Sequence, residues 1–178
     1  FPQPKYAHLP LILGSDRAKL SKRHGAIAVS EFKKDGFLPE AIINFMAFLG
    51  WNPGDEREIY SMPSLIKEFS LEKVQKGGAV FNIKRLEFLN GFYIRQKSAE
   101  RITETCLPYL IADDLIEPMF VSKERTPDLT GYFGKEIIQE FVIKETKEKI
   151  TFESFKKIVS LYQERLKKLS EIVELTNF

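Results

Sequence analysis

Hydrophobic residues recur at helical spacing through the middle of the chain. Four apolar side chains fall at i, i+3, i+4 and i+7, as on one face of an α-helix: Ile42, Phe45, Met46 and Leu49. Pro39 suits the first turn of such a helix, and Gly50 is expected to end it. This pattern predicts an amphipathic helix between these two residues.

Three more helices are predicted from residues that commonly cap a first turn. Ser61, Asn82 and Ser98 each precede an apolar segment of helical period. The second of these helices is expected to close at Asn90-Gly91, and Pro108 is expected to bend or end the third. The chain is therefore expected to consist mainly of short helices.

The second half is expected to be helical as well, after a less regular connection between residues 112 and 134. Beyond it, a helical face is predicted from Ile137, Ile138, Phe141 and Val142. Thr151 is expected to cap a last helix whose apolar residues step by four and three: Phe155, Val159, Tyr162, Leu166, Leu169 and Val173. Two interpretations remain open, a short coiled coil and the favoured one, an amphipathic helix packed in a bundle.

The start of the chain has a different pattern. Residues 9–13 form a short apolar run that predicts a buried strand or an extended segment, and Gly14-Ser15-Asp16 is a turn signal that ends it. A second apolar run, residues 26–29, is compatible with a strand or with the beginning of a helix.

Composition narrows the classes of protein. Of the 178 residues 43% are hydrophobic, and no apolar stretch reaches the ~20 residues that a membrane span needs. The net charge of +2 excludes a chain-wide basic field. Cys106 is the only cysteine, so no internal disulfide is possible and a cytoplasmic location is favoured. Residues 1–15 do not resemble a signal peptide, and Phe1 in place of methionine suggests a numbering that begins inside a longer protein.

A basic cluster near the start carries the candidate chemistry. Residues 1–30 hold five Lys or Arg residues and one acid, Asp16. The cluster centres on a segment that we call the signature loop, Lys19-Leu20-Ser21-Lys22-Arg23. Lysine ammonium groups can follow a triphosphate as point charges, and arginine can hold two oxygens together. Such a loop could oppose the charge that develops on a leaving pyrophosphate; a solvated basic loop is the alternative interpretation.

Other chemistry is not indicated. No G-x-x-x-x-G-K-[ST], G-x-G-x-x-G or H-E-x-x-H motif occurs. His8 and His24 have no matching cysteine or carboxylate cluster, so no metal site is predicted. Cys106 lies on an apolar helical face and is expected to be a core thiol, while Asp113-Asp114 is expected at a helix end or turn.

Several motifs together resemble those of bacterial glutamyl-tRNA synthetases, in the same order and at the same spacing. They are residues 7–11 (A-H-L-P-L), 19–26 (K-L-S-K-R-H-G-A), 36–41 (G-F-L-P-E-A), 49–51 (L-G-W), 81–82 (F-N) and 89–95 (L-N-G-F-Y-I-R). The resemblance covers about the first 97 residues closely, and the segment at 163–169 more weakly.

The resemblance implies a class I aminoacyl-tRNA synthetase that uses ATP, with Mg²⁺, to activate glutamate and transfers it to the 3' end of tRNA. The signature loop would be the family's K-M-S-K-S motif, with Leu20 and Arg23 as changes common in glutamate-specific enzymes. Lys22 is then the expected catalytic residue, which contacts the ATP phosphates. Lys19, Ser21 and Arg23 would shape the loop and help to bind ATP.

The resemblance also implies a division of the chain. Residues 1–29 would be the end of the catalytic domain, residues 30–97 a helical stem-contact domain, and residues 98–178 the first part of an all-α anticodon-binding bundle. Because no H-I-G-H type motif is present, we expect a carboxy-terminal portion of the enzyme that does not charge tRNA by itself.

The partners that the resemblance implies are glutamate-accepting tRNA, ATP and L-glutamate, the last bound mainly by upstream sequence. A monomer is expected, without a membrane or a metal site. The residues that contact tRNA are not identified by the sequence; the candidates are Lys73, Lys76, Lys84, Arg85, Arg95 and Lys97. The alternative to a ligase is a stand-alone helical module that binds tRNA or another RNA without catalysis. A protein-interaction bundle is the least favoured possibility.

Overall fold

The computed structural model describes residues 2–4, 6, 8–21, 28–119 and 140–176. The helices in these ranges are α1 (Val29–Lys34), α2 (Pro39–Ala47), α3 (Met62–Glu68), α4 (Ile83–Gln96), α5 (Ala99–Ala112), α6 (Phe152–Tyr162) and α7 (Ile172–Leu175). The strands are β1 (Ile12–Leu13), β2 (Ala79–Val80), β3 (Ile116–Pro118), β4 (Glu140–Ile143) and β5 (Lys149–Thr151). None of the helices in the described ranges is long and apolar enough to cross a membrane.

The strands correct the prediction of a mainly α chain that ends in a helical bundle. The described residues form a mixed α/β structure, and β3, β4 and β5 make an antiparallel sheet in that order. In β4, Phe141 and Ile143 are buried whereas Glu140 is exposed, which is the period of two of a strand. Phe141 and Val142 are compatible with either period, so their pairing with neighbouring strands decides the outcome. The other two residues of the predicted helical face, Ile137 and Ile138, lie outside the described part of the chain.

Contacts divide the chain into two compact units. The first unit comprises Phe1–Lys33 and Leu38–Asn90, and the second comprises Lys34–Phe37 and Gly91–Phe178. The functional boundaries at residues 29 and 97 that the sequence suggested stay predictions.

The first unit contains an aromatic core. Trp51, Tyr60 and Leu65 are buried together, with Phe48 and Val74 packed against them. The Trp51 and Tyr60 rings meet edge to face, with centroids 5.6 Å apart, a geometry that aromatic pairs favour. The helix α3 begins where the sequence predicts it, and Ser61 caps it, since its Oγ accepts from the Ser64 N–H at 3.3 Å.

The second unit is built around α5, α6 and the antiparallel sheet. The predicted caps are confirmed at both helices, where Ser98 accepts from the Arg101 N–H and Thr151 from the Ser154 N–H. The helix α5 continues past Pro108 to Ala112, so the proline does not end it. The fully buried side chains of this core include Ile102, Cys106, Leu110, Ile116, Phe141, Phe155, Val159, Leu166 and Ile172.

The helix α4 does not close at Asn90-Gly91, as the sequence had suggested, but continues to Gln96. The Asn90 side chain is fully buried, and its Oδ1 accepts from the Leu38 N–H at 2.7 Å. At Gly91 an added Cβ would lie 3.1 Å from an Arg95 nitrogen and 3.3 Å from the Leu166 carbonyl oxygen. Asn90 and Gly91 therefore allow close packing inside α4 and do not end this helix.

The last predicted helix is also shorter than expected, because α6 ends at Tyr162. The Glu171 carboxylate accepts from the N–H groups of Lys167 and Lys168, at 2.8 and 3.2 Å, where a separate 3-10 turn begins. Leu166 is buried after the end of α6, and Leu169 is buried at the first position of the 3-10 turn that precedes α7. The heptad pattern therefore arises from side chains that are buried in several short elements and not from one long helix. The coiled-coil interpretation is wrong.

Candidate active-site loop

The strand β1 leads into the signature loop and is paired with a distant part of the first unit. It runs parallel to β2, and the N–H groups of Ala79 and Phe81 donate to the carbonyl oxygens of Leu11 and Leu13 at 3.0 and 2.8 Å. At Gly78 an added Cβ would lie 2.6 Å from the Leu13 side chain, so glycine permits this close approach. The base of the loop therefore has a fixed backbone support.

A tight hairpin follows β1. The Gly14 N–H donates to the Ala18 carbonyl oxygen at 2.9 Å, and the Arg17 N–H donates to the Gly14 carbonyl oxygen at 3.0 Å. Residues 15–17 therefore form a three-residue hairpin loop. In such loops a β-turn is commonly followed by one residue with left-handed backbone geometry.

Arg17 has that left-handed geometry, with φ of 61°. This region costs a residue with a side chain about 1–2 kcal/mol relative to the right-handed region. The preceding residue, Asp16, accepts the N–H of Ala18 with its carboxylate Oδ1 at 2.9 Å. The Asp16 side chain therefore holds the backbone at Ala18, the residue that follows the strained Arg17.

The hairpin returns the chain to β1 at the beginning of the signature loop. Lys19 forms an antiparallel bridge with Leu13, and the Leu20 N–H donates to the Ile12 carbonyl oxygen at 2.9 Å. Lys19 is exposed, whereas Leu20 and Ser21 are half-buried. The structure thus brings an exposed ammonium group and a hydroxyl to the edge of a supported strand.

Three residues in or beside the signature loop lie outside the described part of the chain: Lys22, Arg23 and His24. Their roles stay predictions. The turn signal at Gly14-Ser15-Asp16 is confirmed, but the sequence analysis did not assign Asp16 or Arg17 to the site. The sequence carries the turn signal but does not reveal the left-handed backbone of Arg17, because glycine is the usual residue at that loop position.

A second polar cluster lies in the loop before α3. The Arg57 guanidinium contacts both the Asp55 carboxylate, with Nε at 2.8 Å, and the Glu68 carboxylate, with one nitrogen at 2.6 Å. The Tyr60 hydroxyl donates to Asp55 at 2.7 Å, and the Arg57 guanidinium lies 4.6 Å from the Tyr60 ring centre. Hydrogen bonds from Arg57 and then Tyr60 lower the pKa of Asp55 to about 2. This cluster fastens the loop to the aromatic core.

The tRNA-contact candidates of the first unit have differing surroundings. The Arg85 guanidinium lies 5.2 Å from the Phe48 ring centre and 3.4 Å from a Glu58 oxygen. Its Nε is buried and has no hydrogen-bond partner among the described residues. The Lys73 ammonium donates to the Pro53 carbonyl oxygen at 3.0 Å. Lys76 and Lys84 are exposed.

The remaining two tRNA-contact candidates belong to the second unit. Arg95 packs over Gly91, and the Lys97 carbonyl oxygen accepts from the Gln163 amide at 2.9 Å. Both residues are half-buried. The geometry does not single out either residue as a tRNA contact.

The other residues that the sequence singled out have structural surroundings. Cys106 is fully buried, and burial raises the pKa of its thiol to about 12, as expected of a core thiol. Asp113 ends α5, and Asp114 takes a left-handed geometry and pairs with Lys144. Among the described residues, no three His, Cys, Asp or Glu side chains are placed to hold a metal ion together.

Comparison with known proteins places this loop in a family context. The sequence model of the family described as "tRNA synthetases class I (E and Q), catalytic domain" matches residues 1–88. Residues 1–88 are therefore similar to the catalytic domain of class I aminoacyl-tRNA synthetases. The match includes β1, the hairpin and the whole signature loop. Within that class, the chain as a whole is a homologue of glutamate–tRNA ligases.

The similarity to curated relatives is strong but covers only part of their length. The glutamate–tRNA ligase of Dehalococcoides mccartyi is 41% identical over 175 residues, which are 98% of this chain and 30% of the relative. That of Desulforamulus reducens is 51% identical over 108 residues, 61% of this chain and 22% of the relative. The chain thus spans less than a third of the length of these proteins.

Solved structures of glutamate tRNA ligases likewise match nearly all of this chain but less than a third of their own length. The crystal structure of a glutamate tRNA ligase from Elizabethkingia meningosepticum, in complex with its amino acid, matches 97% of this chain and 31% of that one. The TM-score is 0.66 and the sequence identity 29%. The enzyme from Elizabethkingia anophelis matches with a TM-score of 0.68 and 29% identity, over 98% of this chain and 32% of that chain.

These findings correct the prediction of a carboxy-terminal portion of the enzyme. The family model that matches residues 1–88 describes the catalytic domain itself, so that prediction is wrong. The error arose because the predicted helices of this region were separated from the catalytic domain. The mixed α/β architecture agrees with a catalytic-domain assignment, and the family resemblance itself is supported.

Proposed function

We propose that this chain is part of a glutamate–tRNA ligase and supplies its phosphate-contacting loop. The complete enzyme would join glutamate to ATP as glutamyl-adenylate, release pyrophosphate, and transfer the glutamyl group to the 3' end of tRNA. ATP, with Mg²⁺, L-glutamate and glutamate-accepting tRNA are then its substrates. We further propose contacts of residues 30–97 with the tRNA stem, a monomeric enzyme and a cytoplasmic location.

One observation carries this proposal: Lys19 is exposed, and the backbone at Lys19 and Leu20 is paired with β1. This hairpin lies inside the segment that matches the catalytic-domain family. A strand-supported base fixes where the cationic loop begins. Fixed cations stabilise developing negative charge better than mobile ones, because no reorganisation is needed during the reaction.

Within the signature loop we assign the residues as follows. Lys22 contacts the phosphates of ATP and stabilises the charge that develops as pyrophosphate leaves. Lys19, Ser21 and Arg23 bind ATP and shape the loop, where an arginine fork can hold two phosphate oxygens and a lysine acts as a point charge.

The experiment is ATP-dependent attachment of labelled glutamate to tRNA by the natural protein that contains this sequence. Lys22→Ala is expected to lower kcat by a factor of a hundred or more, as the loss of one preorganised electrostatic contact does elsewhere. The matched control is Lys157→Ala, which removes the same charge from an exposed position on α6. This control is expected to charge tRNA within about twofold of the parent.

The outcomes separate the ligase from a simple RNA-binding module. Charging that collapses with Lys22→Ala and survives Lys157→Ala supports the proposal. A folded parent that does not charge tRNA, but binds RNA with a steep salt dependence, would instead identify a binding module. Equal activity of the parent and the Lys22→Ala variant would remove Lys22 from the reaction. The 178 residues by themselves are expected to be inactive.

A further inference from the structure

The hairpin before the signature loop contains a residue in an unfavourable conformation. Arg17 has φ of 61°, at a loop position where glycine is the usual choice because it has no Cβ. The turn is therefore not stabilised by the intrinsic preference of Arg17. An interaction elsewhere in the turn has to offset this cost.

That interaction is made by Asp16. Its Oδ1 accepts the Ala18 N–H at 2.9 Å, directly after Arg17 in the chain. The bond therefore holds the backbone at Ala18, immediately before Lys19.

The turn also sets the register of the signature loop. Lys19 lies opposite Leu13, with its side chain exposed, and the half-buried Leu20 bonds to Ile12 through its N–H. A shift of one residue would exchange the two faces of the strand, turning Leu20 outward and Lys19 inward. The length and shape of the turn decide between these registers.

We propose that Asp16 is a positioning residue for the signature loop: its carboxylate holds the strained turn at Arg17 and thereby keeps Lys19 on the exposed side of the hairpin. The inference rests on the proposed function, since it adds to it a residue that does not touch ATP. It predicts that the acceptor atom of residue 16 matters, and not its charge.

Three substitutions separate these roles. Asp16→Ala removes the acceptor and the charge, whereas Asp16→Asn removes the charge and keeps an oxygen that can accept the Ala18 N–H. Arg17→Gly removes the backbone cost that Asp16 offsets. If Asp16 acts by holding the turn, Arg17→Gly should restore the function of an Asp16→Ala protein.

The measurement is glutamylation by the natural protein, with kcat and KM for ATP determined for each variant. Asp16→Ala is expected to lower kcat/KM for ATP about tenfold, the effect of one hydrogen bond, and to leave KM for glutamate unchanged. Asp16→Asn and the double variant Asp16→Ala/Arg17→Gly are expected within about threefold of the parent. Loss of a negative charge near a phosphate site would by itself strengthen ATP binding, which is the opposite effect.

Amide hydrogen exchange on the 178-residue chain provides the structural readout. Asp16→Ala should speed exchange of the Ala18 and Leu20 N–H groups, and both rescuing changes should slow it again. Emission of Trp51, which lies in a separate aromatic cluster of the same unit, shows whether each variant is folded.

The possible failures are distinguishable. A parent that does not charge tRNA contradicts the proposed function, and the catalytic part of this inference falls with it. An active parent whose Asp16→Ala variant is equally active overturns only the inference. So does a tenfold loss that neither Asp16→Asn nor Arg17→Gly repairs, because the charge of Asp16 would then be what matters.

Discussion

The hydroxyl of Ser170 donates a hydrogen bond to the carbonyl oxygen of Asp35 at 2.7 Å, although the two residues are 135 positions apart in the sequence. Beside this bond, the Leu169 N–H donates to the Gly36 carbonyl oxygen at 3.0 Å. Both contacts lie within the second compact unit. The 3-10 turn near the end of the chain is therefore fastened to a short loop near its beginning.

Gly36 should be irreplaceable in this contact. Its φ is +87°, and an added Cβ would lie 2.5 Å from the backbone nitrogens of Leu169 and Ser170. We expect Gly36→Ala to lower the free energy of unfolding by about 3 kcal/mol or more, from backbone strain and displaced backbone atoms together. Urea unfolding followed by circular dichroism measures this loss, and exchange of the Leu169 amide localises it.

Gly54→Ala is the matched control. Gly54 also has a positive φ, +91°, but nothing lies within 4 Å of an added Cβ. It should cost only the backbone strain, about 1 kcal/mol. Equal losses for the two variants would show that the contact at Gly36 contributes nothing.

Asn44 should be among the most sensitive polar residues of the first unit. Its side chain is fully buried, accepts the Tyr60 N–H at 2.6 Å and donates to the Glu58 carbonyl oxygen at 2.8 Å. Asn44→Ala leaves two backbone groups without these partners, at a cost of about 2–3 kcal/mol. Asn52→Ala, which loses one exposed bond to the Gly54 N–H, should cost less than about 1 kcal/mol. Urea unfolding of both variants would contradict the assignment if their order were reversed.

Tyr60 should make the chain sensitive to alkali. Burial, followed by the hydrogen bond to Asp55, raises the pKa of its hydroxyl to about 12, from 10.0. The unfolded chain loses this proton at lower pH than the folded chain does. The stabilisation is therefore fully present below pH 10 and is lost as the pH rises from 10 to 12.

Tyr60→Phe should remove this part of the alkaline loss. The measurement is the urea midpoint at pH 9 and pH 11, followed by Trp51 emission. Tyr6→Phe is the control, because that ring is 84% exposed. A Tyr60→Phe protein that loses as much stability as the parent between these two pH values would contradict the assignment.

Asp55 should make the stability of the chain depend on pH in the acid range. Its pKa of about 2 lies below the ordinary 3.8, because Arg57 and then Tyr60 donate hydrogen bonds to the carboxylate. The unfolded chain takes up this proton first, so the stabilisation is present above pH 4 and is lost as the pH falls towards 2. Asp55→Asn should flatten this part of the stability curve, measured by Trp51 emission in urea at pH 5, 3 and 2.

The control for the acid prediction is Glu56→Gln. The Glu56 side chain is exposed and has no hydrogen-bond partner among the described residues. Its loss should leave the acid decline as steep as in the parent. A decline that Glu56→Gln flattens as much as Asp55→Asn would assign the effect to general charge and not to the Arg57 contact.

Helix beginnings were predictable because their causes are local. Ser61, Ser98 and Thr151 each accept an N–H three residues later, a bond that needs no distant part of the chain. Helix ends were less predictable. Asn90 and Gly91 have the residue types of a helix end, but packing against Leu38 and Leu166 uses them inside α4.

The antiparallel sheet could not be predicted for a related reason. Phe141 and Val142 fit a helical face as well as a strand, and only pairing with Ile150 and Lys149 in β5 selects the strand. The heptad spacing of the last segment was misleading too, since Leu166 is buried after α6 has ended and Leu169 is buried in the 3-10 turn that follows.

The candidate site was only partly accessible from sequence. The basic composition of the signature loop and the turn signal before it are local, and both were recognised. The contribution of Asp16 depends on the backbone angle of Arg17 and on the pairing of Lys19 with Leu13, which emerge from three-dimensional structure.

The two partners of β1 should assemble at different times during folding. The hairpin joins Leu13 to Lys19 through a very short loop, and hairpins form within about 1–10 μs. The parallel pairing with Ala79 and Val80 must first close the long intervening chain, which makes it slower. The beginning of the signature loop is thus expected to pair with β1 before β1 pairs with β2.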